Sequence, residues 1–224
     1  MSDHGSQLSA TPRTQHRRLR EQGRSDRAEL MAILRAGFIA HLGVATSEGV
    51  MVVPTGYGVD DEHAYVHGSV ASQSLAADSE ITMTVTIVDG LVLARSVFEH
   101  AVNYRSATIY ARPRVVDDPA EKLAALRLVS EHLAPGQWDY ARRPSRKELA
   151  ATRLLALSLS EASVKIRTGP PDDADSPDVQ LGLWAGELPL DARWGEPVRD
   201  AAVPDGLPPP AHISSRAGNV VHPR

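Results

Sequence analysis

The chain contains no cysteine among its 224 residues, and this absence excludes several kinds of chemistry at once. Disulfides, thiolate nucleophiles and zinc sites with cysteine ligands are all ruled out. No apolar run approaches the roughly 20 residues that a transmembrane helix needs. The polar, basic start also lacks the apolar stretch of a secretory signal. We therefore expect a cytoplasmic protein with no membrane partner.

A metal site and a nucleic-acid site are also not expected. The nine histidines do not fall at metal-ligand spacings with carboxylates. The net charge of −4 lacks the basic excess that is typical of nucleic-acid binders. The basic residues 16–20 are interpreted as part of a solvated arm. Apolar residues make up 42% of the chain, which is enough for a sizeable core in one domain.

Alternation of apolar and polar residues dominates the middle of the chain. Residues 38–57 predict a hairpin that turns at 46–49, and residues 63–68 predict a third strand. Residues 81–87 alternate large apolar side chains with threonine, which is typical of a half-buried strand. Asp89-Gly90 predicts a tight hairpin turn, from which residues 91–96 return. Further strands are predicted at 104–116, 153–160, 162–168 and 181–190.

Helices are predicted on both sides of these strands. Ser25 is expected to cap a helix that ends at Gly37. Asp118 followed by Pro119 predicts the start of a longer helix, and residues 72–78 are expected to form a short one. At least six strands joined mostly by short turns favour an antiparallel β-barrel with peripheral α-helices, which is a mainly β fold.

The composition also divides the chain into three parts. Residues 1–24 are expected to form a flexible N-terminal arm, and residues 25–195 a single barrel domain. Residues 196–224 are rich in proline and poor in large apolar side chains, so a disordered tail is expected there.

The stretch HGSVASQS, which begins at His67, is a candidate phosphate site. A predicted strand ends here in small hydroxyl residues and leads into the predicted helix at 72–78. Backbone N–H groups, serine hydroxyls and the helix dipole would together favour an anion. The alternative is an ordinary helix-capping cluster of serines. With no metal cluster and no nucleophile triad in the sequence, a phosphate pocket on a β-sheet indicates a bound nucleotide cofactor.

Seven segments between Leu30 and Leu190 form a longer pattern. They are HLGVAT (41–46), VPTGY (53–57), YVHGS (65–69), TVTIVDGLVLARS (84–96), NYRS (103–106), EASVKIRTGPPDD (161–173) and WAGELPL (184–190). In these segments the chain resembles the FMN-binding split-barrel flavoproteins of the pyridoxamine 5′-phosphate oxidase superfamily. The subgroup that it resembles most contains the nitroimidazole-reductase-like flavin-nucleotide-binding proteins. The resemblance implies a six-stranded antiparallel Greek-key split barrel, a homodimer, and one FMN in each of two clefts between the subunits.

The resemblance also implies which residues meet the cofactor. The flavin ring would lie along the backbone of Val52, Val53 and Pro54. The ribityl chain and phosphate would lie near His67, Gly68 and Ser69, and the phosphate would contact Ser72, Gln73 and Ser74. The cleft would be closed by Arg95, Ser96, Tyr104 and Arg105, and Trp184 would cover the ring from the other subunit.

Some of these residues have a second interpretation in purely structural terms. Arg95 could pair with a carboxylate such as Glu99, and Trp184 could be a core residue. His67 could be no more than a polar residue at a strand end. Gln73 stands where the family commonly has an arginine, which removes one charge-assisted contact to the phosphate.

Two function hypotheses follow from the resemblance. The first is an FMN-dependent oxidoreductase that reduces a small, electron-poor acceptor such as a nitroaromatic or a quinone. NAD(P)H is its possible electron donor, and His67 is the candidate general acid. The second is a non-catalytic carrier or sensor that binds flavin, deazaflavin or haem. Oxidation of pyridoxamine 5′-phosphate itself is disfavoured, because the arginine-rich substrate motif of that enzyme is not apparent after Trp184.

Overall fold

The computed structural model describes residues 7–15, 20–70 and 79–222, and within these ranges the chain forms ten strands and five α-helices. The strands are β1 (Gly23–Arg24), β2 (Ile39–Thr46), β3 (Gly49–Val59), β4 (His63–Ser69), β5 (Ile81–Leu93), β6 (Ala101–Ala111), β7 (Arg114–Val115), β8 (Thr152–Ser158), β9 (Ala162–Arg167) and β10 (Gly186–Pro189). The helices are α1 (Arg27–Ala36), α2 (Pro119–Leu133), α3 (Gln137–Tyr140), α4 (Arg146–Ala151) and α5 (Ala211–Ser214).

The strands build one antiparallel sheet that curls into a half-open barrel. Its order is β1-β9-β6-β5-β2-β3-β4-β8-β7, and β10 pairs with β5 outside this path. Because β5 lies beside β2 rather than beside β4, the order β5-β2-β3-β4 is a Greek key. Residues 159–161 lead from β8 directly to β9, which draws the two ends of the sheet together. The predicted Greek-key split barrel is confirmed, with three short strands beyond its longer ones.

The barrel core comes from the inward-facing residues of the alternating strands. Every second residue of β5 from Ile81 to Ile87 is buried, as the threonine alternation predicts. Helix α1 adds Leu30, Ile33 and Leu34 to the same core. A second, smaller core lies under α2, where Val129 packs with Tyr65 and Leu154. Among the described residues, no helix is both long and apolar enough to span a membrane.

The predicted hairpin at Asp89-Gly90 is wrong. Strand β5 runs on without turning to Leu93, and its register against β6 shifts by one residue between Val88 and Gly90. A bulge therefore occurs where a turn was expected. A Cβ on Gly90 would lie 2.7 Å from the carbonyl oxygen of Leu188 in β10. Glycine is needed here for the close approach of β10.

The helices differ from the sequence predictions at the start of α1, at α3, and at α5, which lies in the predicted disordered tail. Asp26 rather than Ser25 caps α1, because its carboxylate accepts from the N–H of Ala28. The longer helix does begin at Pro119, with Asp118 accepting from Glu121 N at 2.8 Å. Helix α3 lies in a stretch that carried no predicted helix. The predicted helix at 72–78 lies outside the described residues.

Both terminal segments contact the barrel where they are described. Arg13 forms ion pairs with Glu80 and Glu161, which fastens residues 7–15 to the sheet. At the other end, Arg193 and Val220 form an antiparallel bridge on either side of α5, and His222 contacts Ala36 O of α1 at 2.8 Å. These contacts differ from the loose arm and disordered tail of the sequence analysis. The division into one domain and two tails stays a prediction.

Candidate functional site

An opening between β3 and β4 brings together two groups of the predicted cofactor residues. These strands pair only from Tyr57–Val66 to Val59–Ala64. Beyond that point β3 continues along β2, while β4 continues along β8. Residues 52–56 of β3 and residues 67–69 of β4 are therefore not paired with each other. This gap is the split of the barrel.

The two sides of the split differ in chemistry. On β3, Val52 is 63% exposed and Pro54 is also exposed, so this side presents apolar surface to solvent. On β4, His67 and Ser69 are exposed polar residues, and Gly68 lies between them. A ligand with a flat apolar ring and a polar tail fits this arrangement, because an exposed apolar patch facing polar groups is typical of a binding site.

His67 stands at the edge of the split with one side open to solvent. The surrounding strands nevertheless desolvate its imidazole, and this burial lowers its pKa below the ordinary value of 6.5. His67 is therefore neutral near pH 7, and it offers one ring N–H as donor and one ring nitrogen as acceptor.

Three residues of the predicted phosphate site are not among those that the structure describes. Ser72, Gln73 and Ser74 lie outside the described residues. Their assignment to the phosphate stays a prediction, as does that of Ser69, which lies at the last position of β4 opposite Thr152.

The second group of predicted residues lies at the far end of β5 and β6. Arg95 forms an ion pair with Asp173, with Nη1 2.7 Å from the carboxylate, and Arg105 pairs with Asp89 at 2.8 Å. The suggested pairing of Arg95 with Glu99 is thus wrong, since its partner comes from a distant loop. Asp173 is itself buried, although an acidic loop there suggests solvated carboxylates. Both guanidinium groups are engaged within the fold.

The remaining members of this group have structural roles or stand exposed. Ser96 caps a short 3₁₀ turn by accepting from Phe98 N at 3.3 Å. Tyr104 has the ammonium of Lys165 5.9 Å from its ring centre. Trp184 is 68% exposed, so its interpretation as a core residue is wrong.

Arg95 and Ser96 lie far from Val52 along the sheet of one chain. Val52 pairs with Gly43, which pairs in turn with Thr82 near the start of β5. Leu93 lies eleven residues further along that strand, a distance of about 36 Å at 3.3 Å per residue. Arg95 and Ser96 lie beyond Leu93. One chain by itself therefore does not bring Arg95 or Ser96 to the split, whereas Arg105 pairs with Ile87, only five residues from Thr82 along β5.

A small polar cavity of about 210 Å³ lies beside the bulge in β5. Its centre is Asn103, whose side chain amide donates to Gly169 O at 3.1 Å and to Glu187 at 2.7 Å. Arg167 Nη1 donates to Oδ1 of the Asn103 side chain. Four of the family segments converge here, namely those that contain Asp89, Asn103, Gly169 and Glu187. The sequence marked each segment separately but did not show that they meet.

A larger cavity, of about 670 Å³, was missed by the sequence analysis. It lies between the ends of α1 and α2 and the C-terminal segment (residues 193–222), with Phe38, His132, Trp194 and Arg216 in its wall. No motif marked this segment, because its residues are spread over the chain and its proline content suggested disorder.

Comparison with known proteins places the chain in a family. The family model described as pyridoxamine 5′-phosphate oxidase matches residues 26–166. The flavocytochrome Anf3 from Azotobacter vinelandii is 34% identical, with a TM-score of 0.87 over 94% of this chain and 100% of that one. The FAD and haem binding protein from Mycobacterium smegmatis is 32% identical, with a TM-score of 0.84 over 90% of this chain and 100% of that one.

A more distant structure shares the fold alone. It is a putative 5-nitroimidazole antibiotic resistance protein from Bacteroides thetaiotaomicron, 17% identical with a TM-score of 0.55 over 64% of this chain and 86% of that one. A search of curated proteins gave no match. The family match covers more than half of the chain, and the two similar structures cover nearly all of it. The chain belongs to the pyridoxamine 5′-phosphate oxidase family, in its split-barrel form.

Proposed function

We propose that this protein is a flavoprotein whose cofactor lies in the split between β3 and β4. The observation that carries the proposal is the separation of these strands after three paired positions. It leaves exposed apolar residues on one side and exposed polar residues on the other. Two structures more than 30% identical to this chain belong to a flavocytochrome and to a protein that binds FAD and haem, which supports the same cofactor class.

The two sides of the split would contact different parts of the flavin, the ring on β3 and the ribityl and phosphate portion on β4. Val52 and Pro54 provide an apolar edge against the flavin ring, with the backbone of Val53 between them and its side chain packed on the core, and burying that edge contributes about 25 cal/mol for each Å². His67 and Ser69 supply uncharged hydrogen bonds to the ribityl and phosphate portion. A bound flavin accepts and donates electrons, and the protein binds it, orients it and keeps water from its ring.

FMN is the part of the cofactor that the split would recognise. FAD contains the same ring, ribityl chain and first phosphate, so both could enter by the same contacts. The absorbance spectrum of the freshly purified protein tests for bound flavin. Chromatography of the cofactor released by denaturation then separates FMN from FAD. A colourless protein that fails to bind either added nucleotide would contradict the proposal.

Substitution of Val52 is the most direct test of where the flavin ring lies. Val52→Asp places a charge against the ring and is expected to weaken flavin binding at least ten-fold, which corresponds to about 1.4 kcal/mol. Val52 is 63% exposed, so the fold should tolerate the change. Val198→Asp is the matched control, because Val198 is 96% exposed in the C-terminal segment. Equal flavin affinity in both variants would place the ring elsewhere.

We also propose an oxidoreductase activity toward small, electron-poor acceptors. The apolar edge at Val52 suits a flat acceptor stacked on the ring, and neutral His67 can donate a hydrogen bond to it. The test is anaerobic oxidation of NADH or NADPH by the holoprotein with a nitroimidazole or a quinone. Turnover should fall in His67→Ala at unchanged flavin content. A flavin-loaded protein with no turnover would favour the carrier hypothesis.

A homodimer in the cytoplasm completes the proposal. An apolar edge such as that at Val50 and Val52 is costly to leave in water, and a second copy would cover it. A second copy is also needed if Arg95 and Trp184 are to reach the split, because they lie far from it within one chain. Light scattering should give twice the chain mass at micromolar concentration, and a monomer would contradict the dimer.

Haem is a second candidate cofactor. The two similar structures that belong to a flavocytochrome and a FAD and haem binding protein favour it. An imidazole is the expected ligand, and His41 and His67 are exposed on strands that flank β3. Haem added to the protein should give an intense Soret band that shifts or is lost in His41→Ala or His67→Ala. A spectrum identical to that of free haem would exclude this candidate.

A further inference from the structure

The 670 Å³ cavity at the C-terminal segment has the size and the lining residues of a small-molecule binding site. Its size lies within the range of small-molecule pockets. Two aromatic rings, those of Phe38 and Trp194, stand 5.5 Å apart at an edge-to-face angle in its wall. Arg216 covers part of the Trp194 ring, and the half-buried rings otherwise offer apolar surface to a planar ligand.

The charges in this cavity all have one sign. Arg35, Arg105 and Arg216 line it, and none of the described lining residues carries a carboxylate. Arg105 is neutralised by Asp89, and Arg35 is weakly paired at the surface with Asp61. Within the described ranges, Arg216 has no carboxylate within 4.0 Å and donates instead to the backbone oxygen of Leu133. Among the three arginines that line this cavity, Arg216 is the one with no carboxylate partner within the described residues.

The wall that carries Trp194 and Arg216 is held in place by hydrogen bonds. Trp194 N donates to Asn219 O at 3.1 Å, and Gly218 N donates to Trp194 O at 2.9 Å. The guanidinium of Arg216 stacks over the Trp194 ring, 4.7 Å from its centre. His222 contacts Ala36 O at 2.8 Å, which ties the end of the segment to α1. The aromatic and cationic groups are therefore oriented before any ligand enters, which lowers the entropic cost of binding.

We infer that this cavity binds a planar aromatic carboxylate. The rings of Phe38 and Trp194 would contact its flat apolar body, and Arg216 would bind its carboxylate. Arg35, near the C-terminal end of α1, also lines the cavity and adds a second positive charge. A charge-assisted hydrogen bond to an arginine is stronger than a neutral one, so the site discriminates an acid from its amide. The inference does not depend on a flavin in the split, because none of the cavity residues named here belongs to β3 or β4.

Calorimetric titration of the full chain with 2-naphthoate tests the inference, with 2-naphthamide as the neutral probe of the same shape. Naphthoate should bind at least ten-fold more tightly. Arg216→Gln should weaken naphthoate binding by about ten-fold and leave only the small preference over the amide that Arg35 supplies. Arg199→Gln is the matched control: it also removes an arginine of the C-terminal segment, one paired with Asp205 away from the cavity, and should change nothing.

A second variant, Arg35→Gln, tests the same inference in case Arg216→Gln detaches the C-terminal segment from α2. Arg35 lies on α1 and makes no described contact with the C-terminal segment, so its loss should weaken naphthoate binding several-fold while the melting temperature stays unchanged. Equal affinity for acid and amide, or no saturable binding at millimolar probe, would overturn the inference. So would competition between naphthoate and added FMN or FAD, because the cavity would then belong to the flavin cleft.

Discussion

At the scale of single residues, His132 contributes to the loss of folding stability at acidic pH. Its Nε2 lies 2.7 Å from Gly37 O and its ring 4.6 Å from that of Tyr57. Burial lowers its pKa below 6.5. The unfolded chain therefore takes up a proton that the folded chain resists, and stability falls as the pH drops below about 6.5.

His132→Gln should reduce this loss of stability, as measured by urea unfolding at pH 7.5 and 5.5. His67 shifts in the same direction, so some slope should remain. An unchanged slope in the variant would contradict the prediction.

The Asp89–Arg105 pair is a second prediction at this scale. Both side chains are largely buried beside the bulge in β5, and Arg105 donates through Nε and Nη2 to the two carboxylate oxygens. Asp89→Ala leaves a buried guanidinium without its carboxylate and should destabilise the protein by about 2–4 kcal/mol. The double variant Asp89→Ala/Arg105→Leu should recover part of that loss in chemical denaturation. A double variant less stable than Asp89→Ala would show that the pair is not the cause.

At the scale of secondary structure, the contact of α2 with β3 depends on Gly58. A Cβ there would lie 2.5 Å from Val129 N and 2.6 Å from Leu128 C, both backbone atoms of α2. Gly58→Ala must push the helix away and should cost about 1–3 kcal/mol or more in unfolding free energy. Gly43→Ala is the matched control in β2, since its Cβ would meet its nearest atom at an ordinary 3.7 Å. Equal stability of the two variants would show that α2 adjusts freely.

At the scale of the whole molecule, Arg13 fastens the N-terminal segment. Its hydrogen bonds lower the pKa of Glu161 to about 2, with a further contribution from Thr11. Arg13 also lies over the Tyr110 ring, 4.7 Å from its centre. Arg13→Gln should speed hydrogen–deuterium exchange in residues 7–15, most clearly at Leu8 N, which donates to Ser25 O. High salt should reduce the difference, because these charges are partly exposed. Unchanged exchange would mean that other contacts hold the segment.

The alternation of residues determined most of the barrel. The hairpin of β2 and β3, the strand from Ile81 and the start of α2 at Pro119 all follow from local periodicity and capping. The family segments VPTGY and YVHGS also contain one residue from each side of the split, Val53 and His67. These features could be predicted because each depends on residues close together in the chain.

The tertiary structure alone decided the rest. Asp89-Gly90 has the composition of a turn, but whether the chain turns or bulges there depends on β6 and β10, which pair with β5 on its two sides. The partner of Arg95 is 78 residues away at Asp173. The C-terminal cavity exists because Trp194 and Arg216 meet residues near position 38 and at the end of α2. A local pattern carries no information about contacts over such separations, since they form only when the packed sheet brings those segments together.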